Sequence, residues 1–186
     1  ERPLLVLVHE IFHRYQFAHF KPISNFGAYV DQHNIENLQL IQLEERILID
    51  FLRATTDKNK LNLLKDFVAV HQIRADFMDP SSLQWESVQQ IMEGLADYTS
   101  IQTFEHFSVI PGFNRNKYLQ ATLASYIYSE DPQELAVKWR HYGVGATLGV
   151  ALDFLDVKEW KELIERGEES QISLLEKTII LSDVEK

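Results

Sequence analysis

The chain contains no cysteine. Disulfides, thiol nucleophiles, iron–sulfur clusters and Cys-ligated structural zinc are therefore excluded, and any metal must be held by His, Asp, Glu, backbone or water. A Cys-free chain suits the cytosol and an oxidising space alike, so the compartment stays open. Proline and glycine are scarce, 5 and 7 among 186 residues, and they fall at the boundaries of patterned segments. No apolar run approaches the roughly 18 residues of a transmembrane helix. Basic residues are outnumbered, 18 Lys and Arg against 28 Asp and Glu, for a formal net charge of −10. That balance argues against nucleic acid, whose phosphates attract Lys/Arg-rich faces, and against docking on an anionic membrane surface. Repeats, low-complexity tracts and linkers are also missing. The chain begins at Glu1 with no signal-like apolar segment behind it, so the expectation is a fragment of a longer precursor.

What is present is an ordinary globular balance, 45% apolar and 25% charged, over a length that suits one domain with a sizeable core. The apolar period is 3.6 nearly throughout, which predicts an all-α fold over 1–186. Helices are expected from about Pro3 to Phe20, Ile35 to Ala54, a cap at Thr55–Asp57 to about Met78, Leu83 to Phe107, and an Asn114 cap to Tyr128. Asp131-Pro132 reads as a further start, with patterning to Phe154 and a break near His141. Asp156 is expected to cap a short helix ending at Gly167, and Ser170 to begin the last, to about Leu181.

Chemistry concentrates near the start, where His9-Glu10-Ile11-Phe12-His13 forms H-E-x-x-H inside a predicted helix. Residues four apart on a helix differ by about 40° in direction and about 6 Å in height, so both imidazoles leave one face and can share an ion. Zinc accepts His nitrogen in a tetrahedral shell, and Glu10 is placed to act as general base on a metal-activated water. The apolar lead-in Leu4 to Val8 predicts a buried helix beneath a cleft.

A second segment, Met92-Glu93-Gly94-Leu95-Ala96-Asp97-Tyr98, stands on the predicted fourth helix. H-E-x-x-H followed by such a segment resembles the glutamate-zincins, which include thermolysin and the aminopeptidase-N-like enzymes. The resemblance implies a zinc metallopeptidase that hydrolyses peptide bonds, with His9, His13 and Glu93 as metal ligands. It also maps Asp97 to the partner that orients His9 from behind. A third segment, His141-Tyr142-Gly143-Val144-Gly145-Ala146, is similar to the stretch after the zinc site in aminopeptidase-N-like enzymes. By that likeness Tyr142 would stabilise the oxyanion, with His141 as an alternative. Gly94 allows a neighbouring helix to come close.

Two departures stand out. The interval from His13 to Glu93 is far longer than in the best-known glutamate-zincins, which implies an insertion or a distinct family. Such enzymes also bind substrate along a sheet edge ahead of the motif helix, so either an upstream β-containing region is missing or substrate is bound otherwise. His106 is the other candidate for third ligand. The competing function is a helical interaction or scaffold module with a structural or inactive metal site, closed by a fourth ligand such as His106 or Asp97. A peptide or protein substrate is the expected partner. The resemblance leans towards an exported bacterial protein. Gln16 shares a face with His9 and His13 and can touch the site, and His19 can face the cleft, but the readings favoured are an ordinary polar helix residue and a structural histidine. His33 and His71 are read as loop and helix-surface residues. Glu44-Glu45-Arg46 and Arg74-Asp76 are read as solvated helix-face charges. Trp85, Trp139 and Trp160 are read as core or interface aromatics.

Overall fold

Most helices begin where a short polar side chain satisfies the first free N–H groups. α1 (Arg2–His19) carries Pro3 in its first turn. α2 (Ile35–Arg53) starts at Asn34, whose side chain accepts from the Asn37 N–H, and α3 (Asp57–Ala75) starts at Thr56. Asp79 caps α4 (Pro80–Gln89), with Pro80 as its first residue. A π-helical turn (Gln90–Gly94) follows without interruption and leads into α5 (Leu95–His106). Asn114 caps α6 (Arg115–Ile127). A second π-helical turn (Glu134–Lys138) precedes α7 (Arg140–Phe154). α8 (Trp160–Glu165) is short, and α9 (Gln171–Thr178) opens with a reciprocal cap between Ser170 and Ser173. The computed structural model describes residues 2–22, 27–108, 111–128, 131 and 134–179. Among these there is no strand, and the fold is all-α. None of these helices is long and apolar enough to cross a membrane.

α7 runs through the centre of the domain. Every residue from Gly143 to Leu152 is buried, as a helix apolar all round requires. It packs against α5, α6, α9 and the first π turn, while α1 lies on α5. The main core joins Phe51, Phe67, Ile101, Leu119, Leu123 and Leu148, each all but sealed from water. Each such side chain contributes roughly 1.5–3 kcal/mol relative to exposure. Where α7 crosses the π turn the main chains touch. A Cβ added at Gly94 would sit 2.5 Å from the Gly145 Cα, and one at Gly145 would sit 2.5 Å from the Gln90 carbonyl oxygen. Glycine at both positions is a steric requirement of the crossing.

Several expectations need correction. The fourth helix is not continuous α-helix but α4, a π turn and α5 in series. Asp156 does not cap α8. It adopts a left-handed conformation (φ 53°), and the residue before the helix is Glu159, also left-handed. α1 is not buried: Leu5 is, whereas Leu4, Val6, Leu7 and Ile11 are exposed. The π turn at Glu134–Lys138 separates α7 from the preceding patterning, close to the break anticipated near His141. Asn25, Pro132 and Leu181 lie outside the described residues.

The charges expected on helix faces are the largest surprise. Glu44, Glu45, Arg74 and His71 are buried, joined by Glu86 and Arg140. Arg74 donates to Glu44 at 2.8 Å and to Glu86 at 2.7 Å. Arg140 reaches Glu45 at 3.2 Å and Glu44 at 3.1 Å. This network ties α2, α3, α4 and α7 together. His71 faces Glu44 at 3.1 Å instead of solvent.

Candidate metal centre

α1 delivers His9 and His13 to one face, and the helix beneath it delivers Glu93 and Asp97, also four residues apart. His9 Nδ1 lies 2.9 Å from Asp97 Oδ1, and its Nε2 lies 3.2 Å from Glu93 Oε2. His13 Nε2 stands 3.5 Å from the same Glu93 oxygen. The two imidazoles meet edge to face with centroids 4.5 Å apart. The four residues read from the sequence as ligands and orienting partner are thus gathered in one place. The site is recessed but open on one side: the His9 side chain is 9% exposed and the Glu93 side chain 23%.

The back of each ring is engaged. Asp97 faces His9 Nδ1 and Glu93 faces its Nε2, both acceptors, so the metal-free ring is held as an imidazolium, and with Nδ1–H anchored on Asp97 it is Nε2 that can give up its proton to a cation. His13 Nδ1 lies 2.8 Å from Gln16 Oε1. The Gln16 amide nitrogen donates in turn to the Ile91 and Met92 carbonyls at 2.9 and 3.1 Å. Gln16 is buried, with 2% exposure, so reading it as an ordinary polar helix residue was wrong. Its place three residues after His13 put it within reach of the ring, and that spacing was the available signal.

Glu10 is exposed beside the pair. Donor atoms of His9, Glu10 and His13 all lie within 4.8 Å of one another. Glu93 fits the ligand role better than Glu10, because its carboxylate oxygen faces both Nε2 atoms at once. Tyr142 stacks on the His9 ring at 5.6 Å, nearly parallel, and Trp139 leans on Tyr142 at 5.5 Å. The Tyr142 hydroxyl lies within the influence of the Glu93 carboxylate. The Gly94–Gly145 crossing lies one turn beyond Tyr142 on α7 and holds it beside Glu93.

No family model, no curated protein and no solved structure matches this chain. The functional reading therefore rests on the site alone.

Electrostatics records the demand for positive charge. Burial opposes charge on His9, but hydrogen bonds and attraction from Asp97 and Glu93 outweigh it and raise its pKa to about 9. The Glu93 contact, helped by the Gln16 hydrogen bond, raises His13 against burial. Burial works against the Glu93 carboxylate, yet contacts to His13, His9 and Tyr142 hold it well below the usual range. Burial and the adjacent Glu93 push the Tyr142 phenol upward, so it stays a donor.

Two other candidates fall away. His106 is exposed, its ring against Phe107, and stands thirteen residues along from Glu93, roughly 20 Å by helical rise. His141 is buried with its Nε2 on the Ala136 carbonyl, and burial with the neighbouring Arg140 lowers its pKa to about 3. It belongs to the core. His19 is exposed and lies against Tyr15, and His33 is exposed. Trp160 is buried, Trp85 half-buried, and Trp139 is 45% exposed.

Proposed function

We propose that this chain is a zinc-dependent hydrolase of peptide bonds, with His9, His13 and Glu93 holding the metal. One observation carries the reading. The Nε2 atoms of both imidazoles lie within 3.5 Å of one Glu93 oxygen, while the opposite nitrogen of each ring is tied to an acceptor. Protons on the rings satisfy that carboxylate in the metal-free chain, and a cation that displaces them finds three donor atoms already gathered. Two His and one carboxylate are a donor set that suits zinc in an open, catalytic site. The chemistry zinc supplies when bound is Lewis acidity, which polarises a carbonyl and lowers the pKa of water to ~7.

The chain's own residues divide the remaining work. Glu10 is exposed and within reach of the cluster, and is left out of the ligand set because Glu93 faces both Nε2 atoms. It takes the proton from the attacking water and returns it to the leaving amine. Asp97 holds the His9 ring in one tautomer. Tyr142 presents a phenolic donor beside Glu93 and serves the oxyanion, a role on the order of 3 kcal/mol for a well-placed donor. Asp97 meets His9 Nδ1 rather than Nε2, and His106 is remote, which favours an open site over a structural one closed by a fourth protein ligand.

The test combines metal content with turnover on a pool of internally quenched peptides. The parent should bind zinc near one per chain and cleave. Glu10→Gln should keep the zinc and lose about 10²- to 10⁴-fold in turnover. A parent that binds no zinc, or a Glu10→Gln chain that cleaves as well as the parent, overturns the assignment.

A further inference from the structure

The buried glutamine behind His13 has a geometry that fixes more than its own position. Its amide spans three partners: the His13 ring on one side, and the Ile91 and Met92 carbonyls on the other. Carbonyl oxygens only accept, so the amide NH₂ must face them. The amide oxygen is then left facing His13 Nδ1. An amide oxygen also only accepts, so Nδ1 must carry the ring proton. The Nε2 edge of the ring is thereby turned towards Glu93, 3.5 Å away, as the nitrogen left to exchange its proton for a cation. A chain of donor and acceptor assignments thus runs from two backbone carbonyls to the electronic state of one imidazole nitrogen.

The carbonyls in question belong to the π turn that carries Glu93. A π turn widens the helix by one residue, and its carbonyls stand out of the ordinary i→i+4 alignment, open to a side-chain donor. Gln16 meets two of them. It stands one turn after His13 on α1, so the motif helix is bound to the turn bearing the third ligand through a single side chain. Only an amide of this length serves both ends, because a carboxylate lacks the donors and an apolar chain lacks both functions.

We propose that Gln16 is a positioning residue. It holds His13 as the Nδ1–H tautomer with Nε2 aimed at the ligand cluster, and it locks α1 in register with the π turn so that His13 and Glu93 keep their spacing. Its effect on metal rests on the zinc reading above, whereas its hold on the His13 tautomer does not.

The experiment compares the parent with Gln16→Met and Gln16→Glu. Zinc affinity is read by competition with a chromophoric chelator, and thermal unfolding of the metal-free chain is read by circular dichroism. Gln16→Met removes both functions at similar volume and should weaken zinc binding by about 10- to 100-fold. Gln16→Glu keeps an acceptor for His13 but sets a carboxylate against two carbonyls. It should lower the thermal midpoint more than Gln16→Met does while weakening zinc less. A merely structural glutamine would lower the midpoint and leave the zinc dissociation constant within about twofold in both variants, and that result overturns the proposal. Histidine-labelled nitrogen NMR of the metal-free chain, recorded above the imidazole titration range, supplies an independent readout. His13 should carry its proton on Nδ1 in the parent and become a tautomer mixture in Gln16→Met. A parent with the proton on Nε2 refutes the inference outright. If the parent binds no zinc, the metal assignment fails, and the same spectra still decide whether Gln16 fixes the ring.

Discussion

Two charged clusters draw on the helical stretch from α4 to α5, and they satisfy their charges in opposite ways. The inner one sets Glu44, Glu45 and Glu86 against Arg74 and Arg140, every side chain at most 2% exposed. The outer one sets Glu93 and Asp97 against two imidazoles, recessed but reachable from solvent. The inner cluster brings its own permanent cations. The outer one holds only acceptors and groups whose charge depends on a proton. A cluster of the first kind carries its countercharges within the fold, whereas one of the second kind can exchange its protons for a cation, as proposed above. Glu86 and Glu93 lie seven residues apart, so one continuous helical stretch feeds both.

The sharpest way to break the inner cluster is Arg74→Met. It leaves Glu44 and Glu86 buried without their main partner, and a loss of about 3–5 kcal/mol in unfolding free energy is expected from denaturant titration. Zinc should add the same increment to parent and variant and leave the difference between them unchanged. A loss below about 1 kcal/mol would mean that the network carries no stability.

The next effect concerns pH. Three carboxylates face two guanidiniums. Burial raises Glu45 to about 7 although Arg140 opposes the shift, and one Glu45 oxygen has no hydrogen-bond partner. A carboxyl raised above its unfolded value of about 4.5 binds a proton in the folded state that the unfolded chain has released. Its contribution is therefore full below about pH 4.5 and fades as pH rises through 7, by on the order of 3 kcal/mol. Glu45→Gln should flatten that decline. Glu86 works in the other direction. Arg74 and Arg140 outweigh burial and hold it low, so its contribution is lost on the acid side, below about 4.5. Parallel stability–pH curves for parent and Glu45→Gln would refute the protonation assigned here.

The smallest effect sharpens the outer cluster. If it is a receptor, zinc at a hundred times its dissociation constant should raise unfolding free energy by about 2.7 kcal/mol, and Glu93→Gln should abolish most of that gain. An equal gain in Glu93→Gln would place the ion elsewhere.

The helices and the outer site were legible in the sequence for one reason: their signals are local. Asn34, Thr56, Asp79 with Pro80, Asn114 and Ser170 all cap helices, and i, i+4 spacing brings His9 with His13 and Glu93 with Asp97. The inner network was misread because charge alone was taken as exposure. Phase would have found it. Glu44 and Glu45 lie between the buried Ile41 and Leu48, and Arg74 follows Leu64, Phe67 and His71 at helical intervals. The π turn left no comparable trace, since it is a choice of backbone partner rather than of residue type. Spacing alone brings Gln16 to His13, but the two carbonyls that its amide meets belong to that turn and left no sign in the sequence.

The main-chain contact at Gly94 and Gly145 has a consequence for anyone redesigning this molecule. Most distances in an active centre are negotiated among side chains and drift when neighbours are changed. Here the separation of Tyr142 from Glu93 is set by two Cα atoms resting against each other's backbone. It works as a gauge block. The rest of α7 can be recoded around it, and the tool stays calibrated as long as those two positions carry no side chain.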